Sequence, residues 1–240
     1  MVSTSDSTDS STASTGYTGE VTVGGAPDVR ELERLVVTKV AVDPQMSNNC
    51  YLLTCRQTGD QVLVDAAAEP EVLLPLVAGG LSTIVTTHQH WDHHRALADV
   101  VAATGSEVVA GAPDAAAITE QTGVPVARRL EHGDVVKVGA CSLEVIAIAG
   151  HTPGSVALLY DDPASDGHAH LFTGDSLFPG GVGGTFGDDK AALFEQLITD
   201  VETRIFDRLP DDTWFYPGHG ADSTLGAERP HLGEWRERGY

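Results

Sequence analysis

Apolar residues fall along this chain in short runs broken by glycine, proline and polar residues, the pattern of buried strands rather than of long helices. Leu35–Val42, 50–54 and Gln61–Val64 read as three successive strands, with Thr58-Gly59-Asp60 as the hairpin turn between the last two. Leu81–Thr86 is a fourth strand. After it Ala96, Leu97, Val100 and Val101 recur at helical spacing, so 93–103 reads as a helix; a strand over 107–110 follows, then a helix bracketed by Pro113 and Gly123. The second half is similar in kind. Val135–Val138 and 142–148 are strands joined at Gly139-Ala140, and 155–160 pairs with 170–173 as a hairpin. Leu193, Leu197, Val201, Ile205 and Leu209 mark one long amphipathic helix that Pro210 ends. The last strand is 213–216, and the residues after Gly220 read as a short, mostly polar tail.

Composition sets the frame for these elements. The chain has 240 residues, and 41% hydrophobic content suits a full core. Residues 1–19 are Ser, Thr, Asp and Gly with almost no large apolar side chain, so they read as a disordered tail, and 20–240 as a single domain. The net charge of −21 would repel a nucleic-acid backbone and argues against a nucleic-acid partner. No stretch approaches a membrane span, and the N-terminal residues carry neither the basic nor the apolar region of a secretory signal. Cys50, Cys55 and Cys141 read as small buried side chains, with Cys50 and Cys55 on opposite faces of one strand. A cytoplasmic, reducing setting is the expectation.

The chemistry concentrates at strand ends. Thr87-His88-Gln89-His90-Trp91-Asp92-His93-His94 follows the strand Leu81–Thr86 directly. His88 and His90 are two apart and share a side if the extended geometry persists. Imidazole and carboxylate are the donors that zinc and similar metals take. A solvated polar loop explains one histidine there but not H-x-H-x-D-H on the end of an apolar strand. His151 lies in Gly150-His151-Thr152-Pro153-Gly154, Asp175 follows Thr173-Gly174, and His219 lies in Pro217-Gly218-His219-Gly220. Glycine and proline make each of these a tight turn past a strand. Asp65, at the end of Gln61–Val64, reads equally as a cap for the following helix or as an outer partner that orients a metal-binding histidine. His168 and His170 read as surface residues of a polar hairpin, His132 and His231 as isolated, and His94 as facing the helix exterior or lying just behind the ligand run.

The segments T-H-x-H-x-D-H, G-H-T-P-G-S, T-G-D-S-L-F and P-G-H-G resemble, in that order, the metal motifs of the metallo-β-lactamase superfamily, and most closely its glyoxalase II-like (hydroxyacylglutathione hydrolase-like) branch, over roughly residues 35–232. The resemblance implies an α/β fold: a four-layer αβ/βα sandwich of two mixed β-sheets flanked by helices. It implies two divalent metal ions, zinc first, with iron or manganese as alternatives. His88, His90 and His151 would hold one, Asp92, His93 and His219 the other, and Asp175 would bridge them. Thr87 and Asp65 would support from outside, and Asp92 would orient the nucleophile or accept its proton. The implied reaction is hydrolysis of a small thioester or ester by a bridging hydroxide, whose pKa the metals bring toward about 7.

Departures from the family pattern narrow the substrate. The helical extension with which glyoxalase II helps bind glutathione has no counterpart in the residues after His219, and Lys occurs only at 39, 137 and 190. Val182-Gly183-Gly184 stands where relatives have C-G-R or C-G-K. These departures count against glutathione and leave another small thiol conjugate open. The competing reading is a mononuclear iron oxygenase of the persulfide dioxygenase type, with His88, His151 and Asp175 as its triad. A nuclease is disfavoured by the charge, and a β-lactamase by the complete H-x-H-x-D-H set.

Overall fold

The computed structural model describes residues 16–161 and 167–239. In it the apolar runs become fifteen strands: β1 (Asp28–Glu31), β2 (Leu35–Val42), β3 (Asn48–Cys55), β4 (Gln61–Val64), β5 (Leu81–Thr86), β6 (Glu107–Gly111), β7 (Arg128–Leu130), β8 (Val135–Val138), β9 (Cys141–Ala147), β10 (Val156–Tyr160), β11 (His170–Gly174), β12 (Leu177–Phe178), β13 (Gly181–Val182), β14 (Trp214–Pro217) and β15 (Ser223–Thr224). The α-helices are α1 (Pro70–Leu76), α2 (Leu97–Thr104), α3 (Ala115–Thr122), α4 (Lys190–Val201), α5 (Leu225–Glu228) and α6 (Leu232–Arg238).

Strands β1 to β7 lie side by side in chain order in one seven-stranded sheet. Its first four strands pair antiparallel, and β4 to β7 pair parallel through the crossovers that carry α1, α2 and α3. The second sheet runs β15-β14-β11-β10-β9-β8, antiparallel except for the β11–β14 pair. Both sheets are mixed, as expected. Apolar side chains alternate between faces and build three buried layers. Val37, Leu53 and Val62 of the first sheet meet Leu143, Leu158, Phe172 and Tyr216 of the second in the central layer. The outer face of the first sheet packs on Leu73, Leu97, Val100 and Ile118 of its helices. The outer face of the second packs on Phe194, Leu197, Ile198 and Trp235. The result is the αβ/βα sandwich. Cys50 and Cys55 fall in different layers, and all three cysteines are free and buried. No helix among the described residues is long and apolar enough to cross a membrane.

Several local expectations change. The helix expected over 93–103 is a 3₁₀ turn at Trp91–His93 followed by α2. The single long helix over 193–209 is α4 followed by a π-helical turn, Glu202–Phe206, which keeps Ile205 and Phe206 in the same apolar layer as Leu197 and Val201. The polar tail after Gly220 instead forms β15, α5 and α6 and buries Trp235 against Phe206. His170 is fully buried rather than a surface residue: it opens β11 between β10 and β14, and its ring shares a hydrogen bond with Tyr216 Oη (3.0 Å). Of the segment 1–19, residues 1–15 lie outside the described residues. Tyr17 packs edge-on to Trp214 and donates to Asp222 (2.6 Å), so residues 16–19 belong with the folded domain.

Candidate metal centre

The ends of β4, β5, β6, β9, β11 and β14 come together at one rim of the sandwich, and each delivers polar side chains there. The two sheets are joined at this rim. Val156 N donates to Thr87 O (2.9 Å), Asn49 N donates to Gly218 O (2.7 Å), and Asn48 forms a lone antiparallel bridge with His219. The joints bring all seven candidate ligands together.

They gather as two groups. His88 Nε2 lies 3.1 Å from His90 Nδ1 and 3.3 Å from His151 Nε2. Asp92 Oδ2 lies 3.5 Å from His93 Nε2 and 3.4 Å from His219 Nε2. Asp175 stands between the groups: its Oδ1 is 3.4 Å from His93 Nε2, and its Oδ2 is 3.5 Å from His219 Nε2 and 3.8 Å from His151 Nε2. Close approach requires glycine here. A Cβ at Gly218 would collide with Asp175 Oδ1, and one at Gly183 with the Asp175 carbonyl.

The outward nitrogens fix the tautomers. His93 Nδ1 is 2.8 Å from Asp65 Oδ2, His151 Nδ1 is 2.7 Å from Gly184 O, and His219 Nδ1 is 2.9 Å from Met46 O. Those acceptors carry no hydrogen, so each imidazole must donate from Nδ1. Thr87 Oγ1 donates to Asp65 Oδ2 (2.8 Å) and so accepts from His88 Nδ1 (3.0 Å). In the neutral form of each ring this leaves Nε2 facing the centre as a lone pair. His93 Nε2 and Asp175 Oδ1 are buried without a hydrogen-bond partner. His88 Nε2 and His151 Nε2, both left without a hydrogen, face each other at 3.3 Å and cannot satisfy each other, and a positive ion between them resolves the conflict. Oxygen and nitrogen donors in groups of three or more suit a divalent transition metal, so the residues fit the ions that the motifs imply.

Charge follows the same division. Burial, with His93 nearby, holds His88 well below the ordinary imidazole range, and burial lowers His90 and His151 too, which favours the neutral form a metal needs. Burial opposes a charge on His219, but its contacts with Asp175 and Asp92 outweigh that and raise it to about 9. Burial likewise works against a charge on His93, which Asp175 and Asp65 nevertheless raise.

Asp65 thus acts on a histidine and is not a helix cap; the residue at the N-cap position of α1 is Glu69. His94 is buried behind the run, its Nε2 3.2 Å from Gln89 O, while His168 is exposed beside Asp212. Two supports were not legible in the sequence. Asp114, fully buried after β6, accepts from Gln89 N (2.9 Å) and Thr152 Oγ1 (2.6 Å), so one carboxylate ties the His88/His90 loop to the His151 loop. Asn48 Nδ2 donates to Asp92 Oδ2 (3.0 Å). Phe186 (66% exposed) gives the site an apolar flank, its ring 6.1 Å from His90 and 6.3 Å from His151.

The family profile of the metallo-beta-lactamase superfamily matches residues 43–219, a span that includes all seven candidate ligands. The chain belongs to that superfamily. A hydroxyacylglutathione hydrolase of Polaromonas sp. is 32% identical over 77% of this chain and 66% of its own length. The chain spans just under two thirds of the curated relatives it matches. Among solved structures, ETHE1 from Myxococcus xanthus superposes with a TM-score of 0.69 at 29% identity, covering 84% of each chain. TTHA1623 in a di-iron-bound form superposes with a TM-score of 0.57 at 31% identity, covering 80% of this chain and 96% of that one. This metallo-beta-lactamase superfamily member therefore has similar proteins with both hydrolase and di-iron descriptions.

Proposed function

We propose that the protein is a dinuclear metallo-hydrolase acting on a small thioester or ester. The observation that carries this reading is the set of four fixed Nδ1–H donors, which leaves ring nitrogens and carboxylates converging in two groups with Asp175 between them. His88, His90 and His151 would hold one ion, and Asp92, His93 and His219 the other, with Asp175 shared. Bound divalent ions supply a water of lowered pKa and a Lewis acid for the carbonyl. Zinc is the metal the donor set suits best, and the di-iron relative makes iron the alternative.

The chain's own residues do the rest. Burial pushes Asp92 up, but His219, His93 and Asn48 hold it below the ordinary carboxylate range, so it accepts a hydrogen bond from the attacking water and orients it rather than keeping a proton. Phe186 gives the substrate an apolar wall beside His90 and His151. Lys39 is buried against Asp222, and Lys137 of β8 donates to Ser142 of β9, so neither is available to grip a glutathione carboxylate. This supports a thiol conjugate other than glutathione.

A second reading keeps one iron on His88, His151 and Asp175, with His151 Nε2 3.3 Å from His88 Nε2 and 3.8 Å from Asp175 Oδ2. Metal analysis of protein purified without added metal, followed by a small thioester panel, separates the two. Two metals per chain with thioester cleavage and no oxygen uptake is the expected result. One iron per chain with oxygen consumption overturns the hydrolase.

A further inference from the structure

We propose that the buried Lys39–Asp222 pair, together with the chain entry at Tyr17 and Gly19, is a positioning device for His219 that sets how tightly the Asp92, His93 and His219 group takes its metal. The inference rests on the two-metal reading above. His219 sits on a turn, and the turn's backbone is gripped from the first sheet. Pro217 O accepts from Tyr51 Oη (2.6 Å) and Asn49 Nδ2 (2.9 Å), and Gly220 O accepts from Asn49 Nδ2 (2.9 Å) and Lys39 Nζ (2.8 Å). Lys39, in β2, is fully buried. The three N–H donors of its ammonium meet three acceptors: Gly220 O, Gly19 O (2.6 Å) and Asp222 Oδ1 (2.6 Å). The other Asp222 oxygen accepts from Tyr17 Oη (2.6 Å) and Trp214 Nε1 (3.0 Å). Asp28 Oδ2 in turn accepts from Thr18 N and Gly19 N (both 2.9 Å), which fixes the Gly19 carbonyl over Lys39. The two residues that close the far side of the His219 turn, Gly220 and Asp222, are thus tied through one ammonium to β2 and to the N-terminal segment.

A buried ion pair is weak evidence for stability, because desolvation of both ions offsets their attraction. What the pair supplies is direction. An apolar pair of the same volume would fill the space but would leave the Gly220 carbonyl held by Asn49 Nδ2 alone. His219 depends on that turn for its aim, since its own Nδ1 bond is to a loop carbonyl, Met46 O, rather than to a side chain.

The test uses the full chain and Co²⁺ uptake by metal-free protein, followed by absorption. Lys39→Met with Asp222→Asn removes the ammonium and leaves no lone buried charge. One of two uptake steps is expected to weaken by about 10–100-fold, the range for partners outside the ligand sphere, with an altered spectrum for that step. The affected step is the one that His219→Ala also abolishes, and the other keeps wild-type affinity. Both steps intact in the double variant, whatever its melting temperature, overturns the device. Uptake of a single equivalent by the wild type overturns the two-metal reading itself and the device with it. Should the double variant fail to fold, Tyr17→Ala decides: the same step weakened supports the device, and both steps unchanged overturns it.

Discussion

Asp65 Oδ2 lies 2.8 Å from His93 Nδ1 and 2.8 Å from Thr87 Oγ1, so one carboxylate oxygen sets the aim of histidines in both candidate groups. His93 is aimed directly, and His88 through the Thr87 hydroxyl at 3.0 Å. Asp65 holds a left-handed backbone (φ 60°), a conformation that persists because Thr87 N also donates to its Oδ1 (2.8 Å). Asp65→Ala is expected to weaken both metal-binding steps by about 10–100-fold. Calorimetric titration of the metal-free variant checks this; one step weakened with the other unchanged would confine Asp65 to a single group.

Asp114 has the complementary signature. Its bonds reach Gln89 N and Thr152 Oγ1, next to His88, His90 and His151 but remote from His219. Asp114→Ala leaves Gln89 N without its acceptor, which costs about 1–3 kcal/mol, and leaves the Thr152 hydroxyl to Ser155 Oγ alone. A lowered melting temperature is expected together with weaker uptake at the three-histidine group alone. A variant that loses the His219-dependent step instead would contradict the geometry.

What could be read from the chain beforehand was local. The strand Leu81–Thr86 and the turns that follow it carry their signals within a few residues, so the seven candidate ligands were legible, and the two mixed sheets came with the family resemblance of those segments. The supports were not, because they join residues far apart: Lys39 with Asp222, Asn48 with Asp92, and Asp114 with Thr152. No local periodicity marks a carboxylate whose partner lies on another element. His170 shows the converse. Its polar neighbours suggested a surface turn, yet pairing of β11 between two strands buries it. Trp235 was misread for the same reason, since the short helices around it are defined by packing on Phe206 rather than by their own propensity.

The boundary of the folded domain is a third expectation. Residues 1–15 carry no large apolar side chain except Val2 and Met1, and such composition supplies no core. A chain beginning at Gly16 is expected to melt and turn over like the full protein. One beginning at Glu20, which lacks Tyr17 and the Gly19 carbonyl, is expected to melt lower, since Lys39 and Asp222 each lose a buried partner. Thermal melting of both chains checks it; indistinguishable curves would mean that residues 16–19 contribute nothing to the fold.

Asp175 is the residue on which the two groups converge, and its replacement separates bridging from simple ligation. Its carboxylate is the one that approaches His93, His219 and His151 together, and its Oδ1 has no hydrogen-bond partner of its own. Two divalent ions held side by side repel, and a shared anion offsets that repulsion. Asp175→Asn keeps the shape, removes the charge and turns one oxygen into an N–H₂ donor that points its hydrogens at imidazole nitrogens or ions. One metal should be lost, and turnover should fall by more than the roughly 10–100-fold of an outer support. His88→Ala removes a neutral donor from one group, and water can fill part of that gap, so it should lose less at the other group. Both variants should melt near the wild-type temperature measured without metal, because the three apolar layers are untouched. Gly218→Ala offers an independent check: its added methyl would press on Asp175 Oδ1 and should reproduce part of the Asn phenotype without changing any charge. Metal stoichiometry, melting and thioester cleavage on all three variants decide the matter. An Asn variant that keeps two metals and near-normal turnover would mean that Asp175 does not bridge.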